Sequence, residues 1–321
     1  MADSGHLRRS VKMRKFKVAM ISAPEERIPA YCIAKIREFA DITCKRCGNP
    51  EELAAFAKGS DIIWMFGANV ALKPEALDQL PTVKALFRSG SGMDALPLDY
   101  AKEHGLSTWN TPESISESVA EHAVSLLFSL ARHIVQFHNQ VHKGEWDSSG
   151  NQTHWHLTGR TLGLVGYGRI ARSVEKMVSG FNMKVLHYDP YAAGSIPLDE
   201  MLPQCDFVSV HCPLTPETEK LINKERLALM KPNALLVNTS RGPVIDEAAL
   251  AEAFRNNKLG GAALDVLCDE PPKADNPLLF EDKVILTPHA AAFSADFEKN
   301  FWECSVRKIE EICKSLEKAG K

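Results

Sequence analysis

Apolar residues run through this chain in short blocks separated by amphipathic stretches. One block occupies 16–21 and an amphipathic stretch follows at 28–39, the alternation expected of a parallel α/β sheet. Positions 61–66 and 83–87 read as further strands of the same first unit. From 112 to 142 the pattern is that of one long helix. Pro112 stands near its first turn, Glu113 and Glu117 follow early, and Val119, Ala123, Leu126, Leu127 and Leu130 recur at helical spacing. A glycine- and polar-rich stretch, 144–151, then breaks the pattern. A second alternation begins at Thr161, with strands expected at 161–165, 184–188, 207–211, 234–238, 261–264 and 284–286. Such a set of strands with helical crossovers suits a complete doubly wound nucleotide domain. After His289 one amphipathic helix, 294–316, remains, and its apolar face needs another surface to cover it.

At 321 residues the chain is longer than one typical domain, which agrees with two alternating units. Lys and Arg number 38 against 41 Asp and Glu, a formal charge of −3. That balance leaves no basic footprint for nucleic acid or an anionic membrane surface. The first fifteen residues are polar and basic with no apolar run behind them, unlike a secretory signal, and no stretch approaches the ~18 apolar residues of a membrane helix. With 8 scattered cysteines, these features lead us to expect reduced thiols and a cytoplasmic setting. Cys44 and Cys47 form a C-x-x-C, but no second pair or histidine partner completes a tetrahedral zinc site, so no metal is expected.

The segment Gly163-Leu-Val-Gly166-Tyr-Gly168-Arg-Ile-Ala171 follows an apolar strand and opens a helix expected at 169–178. Gly166 suits the tight turn, and Gly168, lacking a Cβ, lets N–H groups at the helix start approach a pyrophosphate. Alone the spacing is weak. Asp189 strengthens it, because it ends the next strand 21 positions beyond Gly168, where a carboxylate accepts hydrogen bonds from a ribose diol. The same charge repels the additional phosphate of NADP, so NAD is the expected cofactor.

Three polar groups follow later apolar strands, where open α/β sheets collect their ligands: Arg241, Glu270 and His289. Reducing a ketone with hydride leaves an alkoxide to be protonated near neutral pH, a task suited to His289. A carboxylate such as Glu270 favours the charged imidazole and orients it. A guanidinium such as Arg241 can hold a carboxylate and an adjacent carbonyl together. Taken singly, these residues could equally be a satisfied core histidine, a helix-end cation and a solvated loop acid.

Together they resemble a family. Arg241 in Asn-Thr-Ser-Arg-Gly, Glu270 in Asp265-Val-Leu-Cys-Asp-Glu-Pro271 and His289 in Thr-Pro-His-Ala-Ala are similar to the signature of the D-isomer-specific 2-hydroxyacid dehydrogenases. Val119-Ala-Glu-His122, His211-Cys-Pro-Leu-Thr-Pro-Glu-Thr218 and Asn276-Pro-Leu-Leu279 extend the likeness over most of the chain. The resemblance implies two Rossmann-like α/β domains, an NAD domain at 111–289 inserted into a flavodoxin-like substrate domain made of 1–110 and 290–321. It implies hydride transfer between NAD and C2 of a small D-2-hydroxy or 2-keto acid, with Arg241, Glu270 and His289 catalytic. The cofactor set it implies is Gly166, Gly168, Arg169, Ile170, Asp189, Cys212, Pro213, Thr218, Thr239, Ser240, Arg241, Asp265, His289 and Ala291. Within that set Asp265 would meet the nicotinamide carboxamide. For the substrate it implies Arg88, Ser89, Gly90, Ser91 and Gly92, with Arg241. The helix after Pro112 resembles the family's dimerisation element, so a homodimer through the NAD domain is expected.

A second class of function fits the same fold, an NAD(H)-sensing binding protein like the family's corepressors, although the retained Arg, Glu and His argue against it. A methyltransferase would leave those three without a task. The particular acid, the direction of reaction and any regulation stay open. Met65, Phe66 and Met93 are candidate pocket residues that could equally be core, and the cluster His154, Trp155, His156 could equally be a loop packing on the nucleotide domain.

Overall fold

The computed structural model describes residues 15–67, 69–147 and 156–319. The basic stretch at 1–14, the end of the glycine-rich break at 148–151, and His154 and Trp155 of the aromatic cluster lie outside the described residues. The chain divides into two units, Met1–Thr111 with Phe301–Lys321, and Pro112–Asn300.

In the first unit, strands and helices alternate as the apolar blocks require. They are β1 (Phe16–Met20), α1 (Ala30–Phe39), β2 (Ala40–Cys44), α2 (Pro50–Phe56), β3 (Ile62–Phe66), α3 (Pro74–Leu77), β4 (Ala85–Ser89), α4 (Leu98–Glu103) and β5 (Ser107–Asn110). The sheet order is β2-β1-β3-β4-β5, all parallel, which is the flavodoxin-like winding. The edge strands β2 and β5 escape the apolar-block reading. Neither is a continuous apolar run, because one face or both reach solvent.

The second unit opens with a correction to the expected long helix. A 3-10 turn at Pro112–Ser114 leads into α5 (Ser116–Ala131), and α6 (Ile134–His142) follows as a separate helix. His133 between them adopts φ 52°, a left-handed conformation that ends the helical hydrogen-bond ladder with no glycine or proline to announce it. Then come β6 (Thr161–Val165), α7 (Arg169–Val178), β7 (Lys184–Tyr188), α8 (Leu198–Met201), β8 (Phe207–Val210), α9 (Lys224–Leu229), β9 (Leu235–Asn238), α10 (Glu247–Arg255), β10 (Gly261–Leu264) and β11 (Val284–Leu286). The parallel order β11-β10-β9-β8-β6-β7 places β7 on one side of β6 and β8 on the other. The carboxyl ends of β6 and β8 therefore flank the switch point where such sheets bind ligands. Strands β8, β9 and β10 are buried at every position and are apolar but for Ser209 in β8 and Asn238 at the end of β9. Asn223 and Asp246 cap α9 and α10 by accepting N–H bonds from Arg226 and Ala249, at 3.0 and 3.1 Å.

The closing helix, α11 (Phe297–Ala319), begins and ends three residues later than the periodicity suggests, and most of it belongs to the first unit. There its apolar face is covered. Trp302 meets Trp64 edge-on at 6.0 Å and Phe66 at 5.6 Å. A buried hydroxyl relay accompanies this aromatic contact: Trp64 Nε1 donates to Ser89 Oγ (2.8 Å), Ser89 meets Ser305 (2.7 Å), and Ser305 donates to the Phe301 carbonyl (2.7 Å). Since each hydroxyl has one proton, the last bond makes Ser89 the donor to Ser305. Among the described residues no helix is long and apolar enough to cross a membrane. All eight cysteines are free thiols.

Candidate active site

After β6 the chain turns through Gly166 at φ +85°, where a side chain would be strained. Contact excludes one as well, because a Cβ would lie 2.6 Å from the Cys212 nitrogen and 2.8 Å from its Cα. The turn after β6 thus runs against the segment after β8. Gly168 differs, since a Cβ there would meet nothing within 4 Å. It leads into α7, which no side chain caps, so the N–H groups of Arg169 and Ile170 lack intrahelical partners and suit an anion.

Asp189 follows β7 and grips both neighbouring turns. One carboxylate oxygen accepts the Tyr167 N–H (2.8 Å) and the other the Tyr191 N–H (2.9 Å). The Tyr167 ring is held between the His187 ring, stacked at 3.8 Å, and the Arg172 guanidinium at 4.5 Å. Each Asp189 oxygen keeps a second lone pair for a hydroxyl donor.

At the end of β9, Asn238 clamps the turn that carries Arg241. Its Oδ1 accepts the N–H and hydroxyl of Ser240 (2.9 and 2.7 Å), and its Nδ2 donates to the Arg241 carbonyl (2.9 Å). The half-buried Arg241 guanidinium donates from Nη1 to the Ser240 carbonyl (2.7 Å). A Cβ on Gly242 would lie 2.0 Å from the Leu267 carbonyl carbon, so the Arg241 turn lies directly against the loop that ends in Glu270. Thr239 is buried and its hydroxyl oxygen has no hydrogen-bond partner among the described residues.

Glu270 and His289 are joined directly, with Nδ1 of the imidazole 2.7 Å from Oε2. Oε1 of the same carboxylate accepts the Leu267 N–H (3.1 Å). With the carboxylate as acceptor, the Nδ1 proton faces Glu270 and Nε2 is the nitrogen left for proton exchange. Both side chains are substantially exposed, 49% and 39%, so the pair adds little stability and serves mainly to orient the ring.

The turn beneath His289 is built on Asp265, 2% exposed at the end of β10. Its carboxylate accepts the Thr287 hydroxyl (2.5 Å) and the N–H groups of Ala290 and Ala291 (both 2.9 Å), and its carbonyl accepts the His289 N–H (2.8 Å). His289 itself sits at φ 52°. From α5, His122 Nε2 reaches Thr287 Oγ1 at 3.1 Å and Asp265 Oδ1 at 3.5 Å.

Beside Gly166, burial pushes the Cys212 thiol up to about 12 and the His211 imidazole down to about 4. Thr218 shapes the same segment from within, donating to the Pro213 carbonyl (2.6 Å) and accepting the Thr215 N–H (2.8 Å).

In the first unit, the loop after β4 is partly committed. The Ser89 hydroxyl belongs to the relay under α11, and the Gly90 N–H is taken by Thr111 Oγ1 (2.8 Å). Arg88 spans the loop, donating to the Gly67 and Gly92 carbonyls at 3.2 and 2.7 Å. The N–H groups of Ser91 and Gly92 donate to nothing among the described residues. Met65 lies in the core of this unit, with Met93 packed on that core, and Phe66 packs against Phe301 and Trp302. Burial pushes the Cys44 thiol up to about 12 and raises that of Cys47.

The structure thus brings Arg241, Glu270, His289, Asp265 and Ala291 onto adjoining loops after β9, β10 and β11. Sequence reasoning missed the groups that fasten them: Asn238, Gly242, Thr287 and His122. For Asn238, Gly242 and Thr287 the signal was position alone, inside motifs whose neighbours carry the chemistry; His122 stood in a segment with no chemistry assigned to it.

Comparison with known proteins follows the same outline. Residues 124–291 match the family model for the D-isomer specific 2-hydroxyacid dehydrogenase NAD binding domain. A hydroxypyruvate reductase of Blautia hydrogenotrophica is 33% identical over 277 residues, covering 82% of this chain and 85% of that protein. The D-lactate dehydrogenase of Aquifex aeolicus, solved with NAD and lactic acid, superposes with a TM-score of 0.80 at 30% identity, covering 94% of this chain and 96% of that one. An acyclic imino acid reductase solved with NADPH and D-Arg gives 0.84 at 28% identity, over 94% of this chain and 98% of that one.

Gly242→Ala tests the backbone approach that joins the Arg241 and Glu270 loops. Because the nearest atoms are main chain and cannot rotate away, the substitution is expected to cost about 1–3 kcal/mol in urea unfolding. A variant as stable as the parent would show that the two loops are not held together at this point.

Proposed function

The chain belongs to the D-isomer specific 2-hydroxyacid dehydrogenases and takes a nicotinamide cofactor, and from that premise we propose that it interconverts a small 2-keto acid and its D-2-hydroxy acid. The observation that carries this reading is the 2.7 Å bond between His289 and Glu270, one loop away from Arg241. When bound, the nicotinamide supplies or accepts the hydride. In the reducing direction His289 gives the proton on Nε2 to the carbonyl oxygen while Glu270 holds Nδ1 and steadies the ring. Arg241 offers planar donors to the substrate carboxylate and the carbonyl beside it, stabilising the charge that develops there. The loop after β4 serves in this reading as a carboxylate-binding element through the N–H groups of Ser91 and Gly92.

The residues present fit a dinucleotide. The uncapped start of α7, the open space at Gly168 and the unpartnered Thr239 hydroxyl are the features such a ligand would use. Arg169 and Ile170 would hold its pyrophosphate, with Thr239 and Ser240 nearby, and the segment from Cys212 to Thr218 would line it. We assign NAD over NADP because the Asp189 carboxylate repels a phosphate at the ribose 2′ position. We further assign a homodimer. Ile134, Val135 and Val141 leave α6 with a large exposed apolar surface that a second copy would cover.

NADH oxidation with hydroxypyruvate, glyoxylate, pyruvate and 3-phosphohydroxypyruvate is the assay for these assignments. His289→Asn is expected to lower turnover by about 100-fold or more with NADH affinity nearly intact; full turnover in that variant removes the proton-transfer assignment. Asp189→Ala is expected to weaken NADH and narrow the preference over NADPH, so an unchanged ratio of the two cofactors overturns the reading of that carboxylate. Sedimentation equilibrium is expected to give twice the chain mass, and a monomer at micromolar concentration would dismiss the dimer.

A further inference from the structure

We propose that His122 is a positioning residue for His289, acting through Thr287 and Asp265. The inference rests on the reading of His289 as the proton-transfer group.

His289 occupies a left-handed conformation, φ 52°, which a non-glycine residue keeps only where its surroundings impose it. Here the imposition comes chiefly from Asp265, with the Thr287 carbonyl also accepting the His289 N–H at 3.0 Å. The N–H groups of His289, Ala290 and Ala291 all end on Asp265, on its carbonyl, Oδ1 and Oδ2 respectively. The orientation of the Asp265 carboxylate therefore sets the turn, and Thr287 helps to set that orientation by donating its hydroxyl proton to Oδ1 at 2.5 Å. A hydroxyl has one proton. Thr287 Oγ1 must then be the acceptor toward His122, whose Nε2 stands 3.1 Å away and carries the proton. The same Nε2 lies 3.5 Å from Asp265 Oδ1, so its N–H also offsets the buried carboxylate directly.

Other contacts show that α5 is anchored where this relay requires. One turn before His122, Ser118 Oγ donates to Ser294 Oγ at 3.0 Å, beyond the His289 turn. Glu117 accepts the Ser173 hydroxyl at 2.8 Å, from the helix that follows the glycine turn. Among these contacts His122 is the one that reaches the carboxylate. Its contacts with Thr287 and Asp265 make it a positioning residue, which reaches the His289 turn only through those two residues and touches no reacting atom.

The test compares the full-length parent with His122→Gln, His122→Met and His289→Asn, measuring kcat with NADH and the best 2-keto acid, and NADH affinity by fluorescence titration. Glutamine can present an N–H near the place of Nε2, whereas methionine fills the length without a donor. His122→Met is expected to lower kcat about tenfold with NADH affinity within about twofold, and glutamine to restore most of the loss. The proposal is overturned if methionine leaves kcat within about twofold of the parent, if glutamine is as impaired as methionine, or if the loss lies in NADH affinity instead. His289→Asn separates the two readings. An active His289→Asn dismisses the proton-transfer assignment on which this rests, while an inactive one beside a fully active His122→Met dismisses the positioning role alone.

Discussion

A carboxylate withdrawn from water must be met by donors, because an uncompensated buried charge costs several kcal/mol or more. Asp265 is in that position at the end of β10, and most of the donors that meet it are peptide N–H groups of the loop after β11. Satisfying the charge and bending that loop are consequently one event. The bent loop presents His289 to Glu270, and the resulting bond decides which ring nitrogen keeps a free lone pair or proton. Because that pair is half-exposed, its own stability is small, and its geometry depends on the buried group beneath it.

Two glycines carry a second constraint, the approach of main chain to main chain. Gly166 brings the turn after β6 against Cys212, and Gly242 brings the Arg241 turn against Leu267 and Cys268. In each case a methyl group would overlap backbone atoms. Gly168 serves the opposite purpose, leaving room at the start of α7. The three positions show why glycines near a nucleotide-binding strand are not interchangeable. Some close the scaffold, and one keeps a space open.

Much of the second sheet was legible as pattern. Strands β6, β7, β10 and β11 have the bounds read from the chain; β6 and β10, the most deeply covered of them, carry nearly unbroken apolar runs, while β7 keeps an apolar centre between polar residues at the sheet edge. The edge strands β2 and β5 lacked that signature, and the division of α5 from α6 hangs on a left-handed His133 that no residue preference foretold. At the site, Arg241, Glu270 and His289 were visible because charged and titratable groups after apolar strands stand out. Asn238, Thr287 and His122 did not stand out, being ordinary polar residues whose meaning lies in their partners.

The amino-acid sequence by itself determined two parallel α/β units, the glycine turn into α7, and the positions of the ionisable groups after β9, β10 and β11. These follow from periodicity and spacing, which are local. Only the tertiary structure decided that the loop after β11 is tied down by the carboxylate that follows β10, and that a histidine 165 positions before Thr287 joins the same network. It also decided that the Gly90 N–H is occupied while the Thr239 hydroxyl has no partner among the described residues. Hydrogen-bond satisfaction is a property of groups brought together from distant parts of the chain, so no local pattern can state it.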